Sequence, residues 1–198
     1  DGATHQCIED MAIFRAIPNM TVLCPADANE TVAATRLIAE LSGPCYMRLN
    51  RNDYANVTPA GKPFELGKPY CLRGGTDIVV FACGVMVGKA LEAAELLADR
   101  ISVRVVNVPT IKPLDHEAVR ALTEGCRAIV TAEEHNVMGG LGGAIAEALA
   151  DAPKPMKFVG VEDRFGCSGH NYAELLEYLG LTKEHIAGAV EEIYNQTK

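Results

Sequence analysis

The sequence predicts an α/β protein built around a mostly parallel sheet with helices on both faces. Three observations carry this. Short β-rich apolar runs (DIVVFAC, SVRVVNV, RAIVTAE, MKFVGV) recur through the second half of the chain, and amphipathic helical patterns alternate with them, as in βαβ units. Hydrophobic residues make up 48% of the 198 residues, enough to bury a core between such layers.

In the first half, Ile8, Met11, Ala12 and Ala16 keep helical spacing up to Pro18, and Thr21 to Cys24 form a short apolar run stopped by Pro25. Asp27 followed by Glu30 resembles a capping box. Ala34, Leu37, Ile38 and Leu41 then share one helical face until Gly43 and Pro44 end it. PCYMRL is the next strand. The order is α, β, α, β, too little to close a doubly covered sheet. A polar stretch rich in Gly and Pro, Asn50 to Pro69, follows as a linker.

From about Thr76 the four apolar runs and about five helices make a complete small domain. Its helical faces are Leu91, Ala94, Leu97 and Ala98; then Leu141, Ile145, Ala148 and Leu149; then Ile186, Val190 and Ile193. Right-handed crossovers put these helices on both faces of the sheet.

Charge and cysteine content narrow the function classes. The net charge is −8 with scattered Lys and Arg, which argues against nucleic acid or an anionic membrane as partner. There is no 18-residue apolar stretch and no signal-peptide pattern. The seven cysteines stand singly, mostly in apolar runs, and fit reduced core residues in the cytoplasm rather than a disulfide framework or metal site.

One constellation carries chemistry: DGATHQ, then EDMAIFRAIPNMTVLCPAD, then YMRLNR. A site for a phosphorylated sugar needs a carboxylate to accept from hydroxyls, an imidazole near a reacting carbonyl and a guanidinium for phosphate, and Asp1, His5 and Arg51 are one of each. On residue types alone a second account stays open. Asp-Gly is a common turn, Thr4 could cap a helix starting near Gln6, and Arg51 could be a surface residue beyond a strand.

These segments resemble transketolase and its thiamine-diphosphate relatives. The family's D-G-x-T-H-Q turn corresponds to Asp1, Gly2, Thr4, His5 and Gln6. Its R-x-x-P-N-M-x-V segment corresponds to Arg15, Pro18, Asn19, Met20 and Val22, and its P-A-D-x-x-E helix start to Pro25, Ala26, Asp27 and Glu30. TDIVVFACGVMVGKALEAAELL, VVNVPTIKPLD and IVTAEEHNVMGGLGGAIAEAL resemble the family's C-terminal domain in the same order, so the likeness covers essentially the whole chain. It is nearest to the C-terminal subunit of the split bacterial or archaeal type.

The resemblance implies the rear part of a pyrimidine-binding α/β domain over 1–60, a linker over 61–75, and a complete three-layer α/β/α C-terminal domain over 76–198. It implies that Asp1 and His5 contact sugar hydroxyls, His5 with a catalytic role, and that Arg51 binds phosphate. Arg48 competes for the phosphate role, because strand alternation would point Arg48 and Arg51 to opposite sides. Arg51, past the strand, is the preferred choice.

The family glutamate that activates the cofactor lies upstream of D-G-x-T-H-Q, as do the stacking aromatics, and the G-D-G diphosphate motif is absent. The expectation is therefore the rear part of a longer polypeptide, binding no cofactor alone. In the intact assembly the cofactors are thiamine diphosphate and Mg2+ or Ca2+; the partners are sugar phosphates, an N-terminal section or subunit, and a second copy in a homodimer. The implied reaction moves a two-carbon ketol unit from a ketose phosphate to an aldose phosphate, in the pentose phosphate pathway. Deoxyxylulose-phosphate synthase typically continues with Gly and Phe-Asp where Cys7 and Glu9-Asp10 stand here, and the 2-oxoacid dehydrogenase β subunit differs around the histidine. The alternative outside the enzymes is a noncatalytic oligomerisation module.

Other features have plainer accounts. The glycines of VMGGLGGAIAEAL fit close packing of a helix start better than a phosphate loop. Glu133 to Asn136, at the carboxyl end of a strand, fit an interface or loop-ordering role without metal-site spacing. His170 fits a solvent-facing loop, His116 and His185 lie in helical segments, and Met11, Met20 and Met47 fit core filling.

Overall fold

Residues 2–198 are described in a computed structural model of the chain. At its centre lies β4 (Ile78–Ala82), a run of five apolar residues that are all buried. Alternation along the strand divides them between two cores. Ile78, Val80 and Ala82 pack with α3 (Met86–Leu96) and α7 (Lys183–Gln196); Val79 and Phe81 pack with α4 (His116–Thr123) and α5 (Leu141–Ala148). The sheet is thus sandwiched as the sequence predicts.

Around β4 the strand order is β3-β5-β4-β7-β8, with β5 (Val103–Asn107), β7 (Ala128–Asn136) and β8 (Met156–Val161). The four expected runs form its parallel part. β3 (Tyr70–Arg73) is an antiparallel edge strand inside the stretch expected to be a linker. Four residues, one exposed and three half-buried, carry too little pattern to reveal it.

The first half runs α1 (Asp10–Ala16), β1 (Thr21–Leu23), α2 (Ala28–Ile38), β2 (Cys45–Met47). Its sheet is completed from the second half: β6 (Thr110–Lys112) pairs antiparallel with β1, giving β2-β1-β6. Met11, Val22 and Cys24 join Phe81 and Ile129 in one core, so the halves share an interior. On α2 only Ala34 of the expected apolar face is fully buried, while Leu37 and Ile38 are half-buried, because three strands cannot cover it.

Three of the expected helical residues on α5 and all three on α7 are buried, as is Leu149 just past α5. On α3 and just past it, Ala94 and Leu97 of the expected face are buried and Leu91 is half-buried against the core. Met86, Val87, Ala90, Ala93 and Ala94 face the core, and Ala98, beyond the helix end, is exposed. The expectation that the cysteines are core residues holds for Cys24, Cys83 and Cys126 only. Cys7 and Cys71 are exposed because they lie beyond a surface turn and on the edge strand, and Cys45 and Cys167 are half-buried; all seven are free thiols. No helix among the described residues is long and apolar enough to cross a membrane.

The P-A-D-x-x-E segment acts beyond its own helix. Asp27 caps α2 by accepting from the Glu30 amide (3.1 Å), and Glu30 accepts from the Ala26 amide (2.7 Å). Glu30 also accepts from Asn107 Nδ2 on β5 and the Tyr70 hydroxyl on β3, both at 2.8 Å. The capping box therefore ties α2 to the second half.

Candidate functional site

Ala3–His5 form one turn of 3-10 helix, closed by the His5 amide donating to the Gly2 carbonyl at 2.9 Å. Thr4 Oγ1 pairs with His5 Nδ1 (2.9 Å) and caps no helix; α1 starts only at Asp10. Gln6 anchors the turn. Its Nε2 donates to the Cys167 carbonyl (2.9 Å) and its Oε1 accepts from the Cys167 amide (3.0 Å). His5 is left exposed beside the 166–168 segment. Asp1 lies outside the described residues.

β2 ends at Met47, so strand alternation does not reach Arg48 and Arg51, and both line one cleft of about 530 Å³. His5 lines it too. Tyr172 and Asn50 contribute polar groups, and Leu175 and Leu176 an apolar wall. The two arginines differ in how they are held. Arg48 is mostly buried, donating to the carbonyls of Glu134 (2.5 Å) and Cys7 (3.0 Å), with Nε 3.4 Å from Asp10 Oδ2. Arg51 is exposed at the cleft rim. Of the two arginines, Arg51 is the exposed one.

Beneath the cleft lies a buried polar cluster that the residue pattern only half reveals. Asp10, 2% exposed, accepts from the Tyr46 hydroxyl at 2.5 Å. His135 is fully buried: its Nδ1 lies 2.6 Å from the Asn136 carbonyl, and Nε2 accepts from the Ala12 amide at 3.3 Å. A carbonyl only accepts and an amide only donates, so the proton sits on Nδ1 and the ring is neutral. Burial, which lowers its pKa, agrees.

Glu133 occupies the N-terminus of α5, accepting from the amides of Leu141 (2.7 Å) and Gly142 (2.9 Å). The anion at this glycine-rich helix start is the protein's own carboxylate. A Cβ on Gly140 would fall 2.0 Å from Glu133 Oε2, and one on Gly142 would fall 2.2 Å from Phe158 Cδ1. Close approach explains these glycines, as expected from sequence. Burial pushes the Glu133 carboxyl up to about 7, against the two amide donors and the nearby Arg48 and Arg15 charges. Glu133 to Asn136 thus order the junction between the halves. Asp10 and Tyr46 escaped sequence reading; an acidic residue next to buried Met11 at a helix start was the available signal. His170 is exposed in its loop, His116 and His185 lie on α4 and α7, and Met11 is core.

Two family models match the chain: "Transketolase, pyrimidine binding domain" over residues 1–56 and "Transketolase, C-terminal domain" over 67–186. The chain belongs to the transketolase family. A 6-deoxy-6-sulfo-D-fructose transketolase subunit of Clostridium sp. strain MSTE9 is 43% identical over 98% of the chain and 60% of its own length. A 1-deoxy-D-xylulose-5-phosphate synthase of Caldanaerobacter subterraneus subsp. tengcongensis is 36% identical over 100% of the chain and 32% of its own length. Among solved structures, "Split gene transketolase, inactive beta4 tetramer" superposes with a TM-score of 0.92 at 42% identity, covering 100% of this chain and 65% of that one. The chain thus spans less than two thirds of the length of these relatives. Transketolases are thiamine-diphosphate-dependent enzymes.

Proposed function

We propose that this chain supplies the sugar-phosphate contacts of a transketolase that moves a two-carbon ketol unit from a ketose phosphate to an aldose phosphate, working with an N-terminal section or subunit. The observation that carries the reading is that His5 and Arg51, 46 positions apart, line the same cleft. Arg51 grips the phosphate and His5 hydrogen-bonds or moves a proton at a substrate hydroxyl. Asp1, adjoining the turn in sequence, reads hydroxyl configuration. Tyr172 and Asn50, held through Glu134 (2.6 and 2.9 Å), keep the opposite wall rigid.

Thiamine diphosphate supplies the carbanion chemistry when bound. The proposed contacts are to the sugar phosphate and not to the metal-diphosphate end of the cofactor; among the described residues no three His, Cys, Asp or Glu side chains converge as a cation site. In this reading that end, with Mg2+ or Ca2+, belongs to the N-terminal section. Assembly as a dimer follows the family habit, and the free thiols suit the reducing cytoplasm. The Clostridium relative, a 6-deoxy-6-sulfo-D-fructose transketolase subunit, favours a second reading in which the ketose is a sulfo-sugar outside the pentose phosphate pathway.

The test is steady-state kinetics of the chain reconstituted with its N-terminal section. Arg51→Ala should raise KM for a phosphorylated ketose at least tenfold while barely changing that for its unphosphorylated analogue. Equal effects on both would overturn the phosphate role. Formation of deoxyxylulose phosphate from pyruvate and glyceraldehyde phosphate, without ketol transfer, would move the chain to the synthase.

A further inference from the structure

Cys24 follows β1 and Cys83 follows β4, so two strands from different halves of the chain deliver sulfur to one point. The backbones are joined there: the Gly84 amide donates to the Cys24 carbonyl at 3.1 Å. A Cβ on Gly84 would lie 2.8 Å from Cys24 Sγ, so the residue after Cys83 is tightly packed against that sulfur. The Cys24 thiol is the main influence that raises the Cys83 thiol above its usual range. No other cysteine pair among the described residues is joined in this way. Cys45, Cys71 and Cys126 contact carbonyl oxygens instead.

Cys24 is 5% and Cys83 1% exposed. Cys24 and Cys83 both line a second cleft of about 320 Å³, on the other side of the Arg48–Asn52 segment from the cleft of His5 and Arg51. Arg48 lines it as well, bringing a permanent positive charge beside the sulfurs. A small uncharged oxidant fits a space of this size, and the raised Cys83 thiol suits the second, resolving step rather than the first attack.

We propose that Cys24 and Cys83 form a reversible redox couple that closes to a disulfide joining the two halves of the chain when a peroxide enters this cleft. The Cys24 sulfur, as thiolate, attacks one peroxide oxygen. The S–O bond forms, the O–O bond breaks, and hydroxide leaves with a proton as water. The Cys83 sulfur then attacks the Cys24 sulfenic sulfur. The S–S bond forms, the S–O bond breaks, and the second hydroxide leaves with the Cys83 proton as water. Two thiols are oxidised by two electrons and one peroxide is reduced to two waters. The cross-link ties the end of β1 to the end of β4 next to Arg48. It also constrains a long loop in the unfolded chain.

The experiment treats the chain with one equivalent of hydrogen peroxide, denatures it, alkylates free thiols and maps the peptides without reductant. The expected result is a Cys24–Cys83 linked peptide two hydrogens lighter than its parts, reversed by dithiothreitol, with a melting temperature that rises on oxidation and falls back on reduction. In Cys83→Ala, Cys24 should stop at a sulfenic acid that dimedone traps. Full alkylation of both residues after peroxide, or pairing of either with a different cysteine, overturns the proposal. The wild-type peptide map decides the matter even if the variant fails to fold.

Discussion

The carboxylate of Asp27 accepts both the hydroxyl and the backbone amide of Thr58, each at 2.7 Å. The same side chain takes the Val57 amide at 2.7 Å and the Glu30 amide that caps α2. One helix cap therefore also fastens the segment that leads from β2 toward β3. Burial opposes its charge, but the hydrogen bonds from Thr58, Glu30 and Val57 hold its carboxyl below the usual range.

Asp27→Ala leaves three amides and a hydroxyl without their acceptor, and should destabilise the chain by about 2–4 kcal/mol in denaturant unfolding. Because the folded pKa is depressed, this stabilisation is present above the ordinary pKa of 3.8 and disappears as pH falls through the lower folded value. The gap between wild type and variant should narrow only below about pH 4. A gap already closed at pH 6 would contradict the assignment.

For Glu133 the sign is opposite. Its folded pKa is raised to about 7 from an ordinary 4.5, so ionisation is harder in the folded chain than in the unfolded one. Relative to Glu133→Gln, the wild type should gain stability as pH falls from about 7 towards 4.5, at no more than about 1.4 kcal/mol per pH unit. His135 works against this in both proteins, since its lowered pKa removes stability as pH falls through 6.5. Parallel stability curves for wild type and Glu133→Gln would rule out a buried carboxyl titrating near neutrality.

Arg48 and Arg51 should separate by what they damage. Arg48→Ala leaves the Asp10 carboxylate, 2% exposed, without its cation and should lower stability by about 3–5 kcal/mol. Arg51→Ala, at an exposed position, should leave the melting temperature nearly unchanged while impairing use of phosphorylated sugars in the reconstituted enzyme. Thermal melts beside kinetics distinguish them.

Gly140→Ala places a Cβ 2.0 Å from Glu133 Oε2 and 2.7 Å from His135 Nδ1. Two buried polar side chains would have to move at once, at about 1–3 kcal/mol. Gly188→Ala, on α7 with nothing within 4 Å of the new Cβ, should be neutral or slightly stabilising. Equal melting temperatures for the two variants would refute the close-approach account.

His5→Ala in the reconstituted enzyme should lower turnover roughly 10²-fold or more while cofactor affinity stays the same. Unchanged ketose-phosphate kinetics would remove His5 from the site.

Local patterns determined much of this protein. Runs such as DIVVFA and helices such as that of Leu141, Ile145 and Ala148 carry their own periodicity, and Asp27 with Glu30 announced a helix start, because such preferences act within a few residues. The likeness of DGATHQ and its companions fixed the family. Tertiary structure alone decided that β6 crosses to β1, that YCLR pairs as an edge strand, that Arg48 turns inward while Arg51 stays at the rim, and that Glu133, His135 and Asp10 meet under the cleft. Each of these joins groups far apart along the chain. Such contacts follow from which surfaces remain to be covered, and from where a buried charge or amide finds a partner, so no window of local sequence contains them.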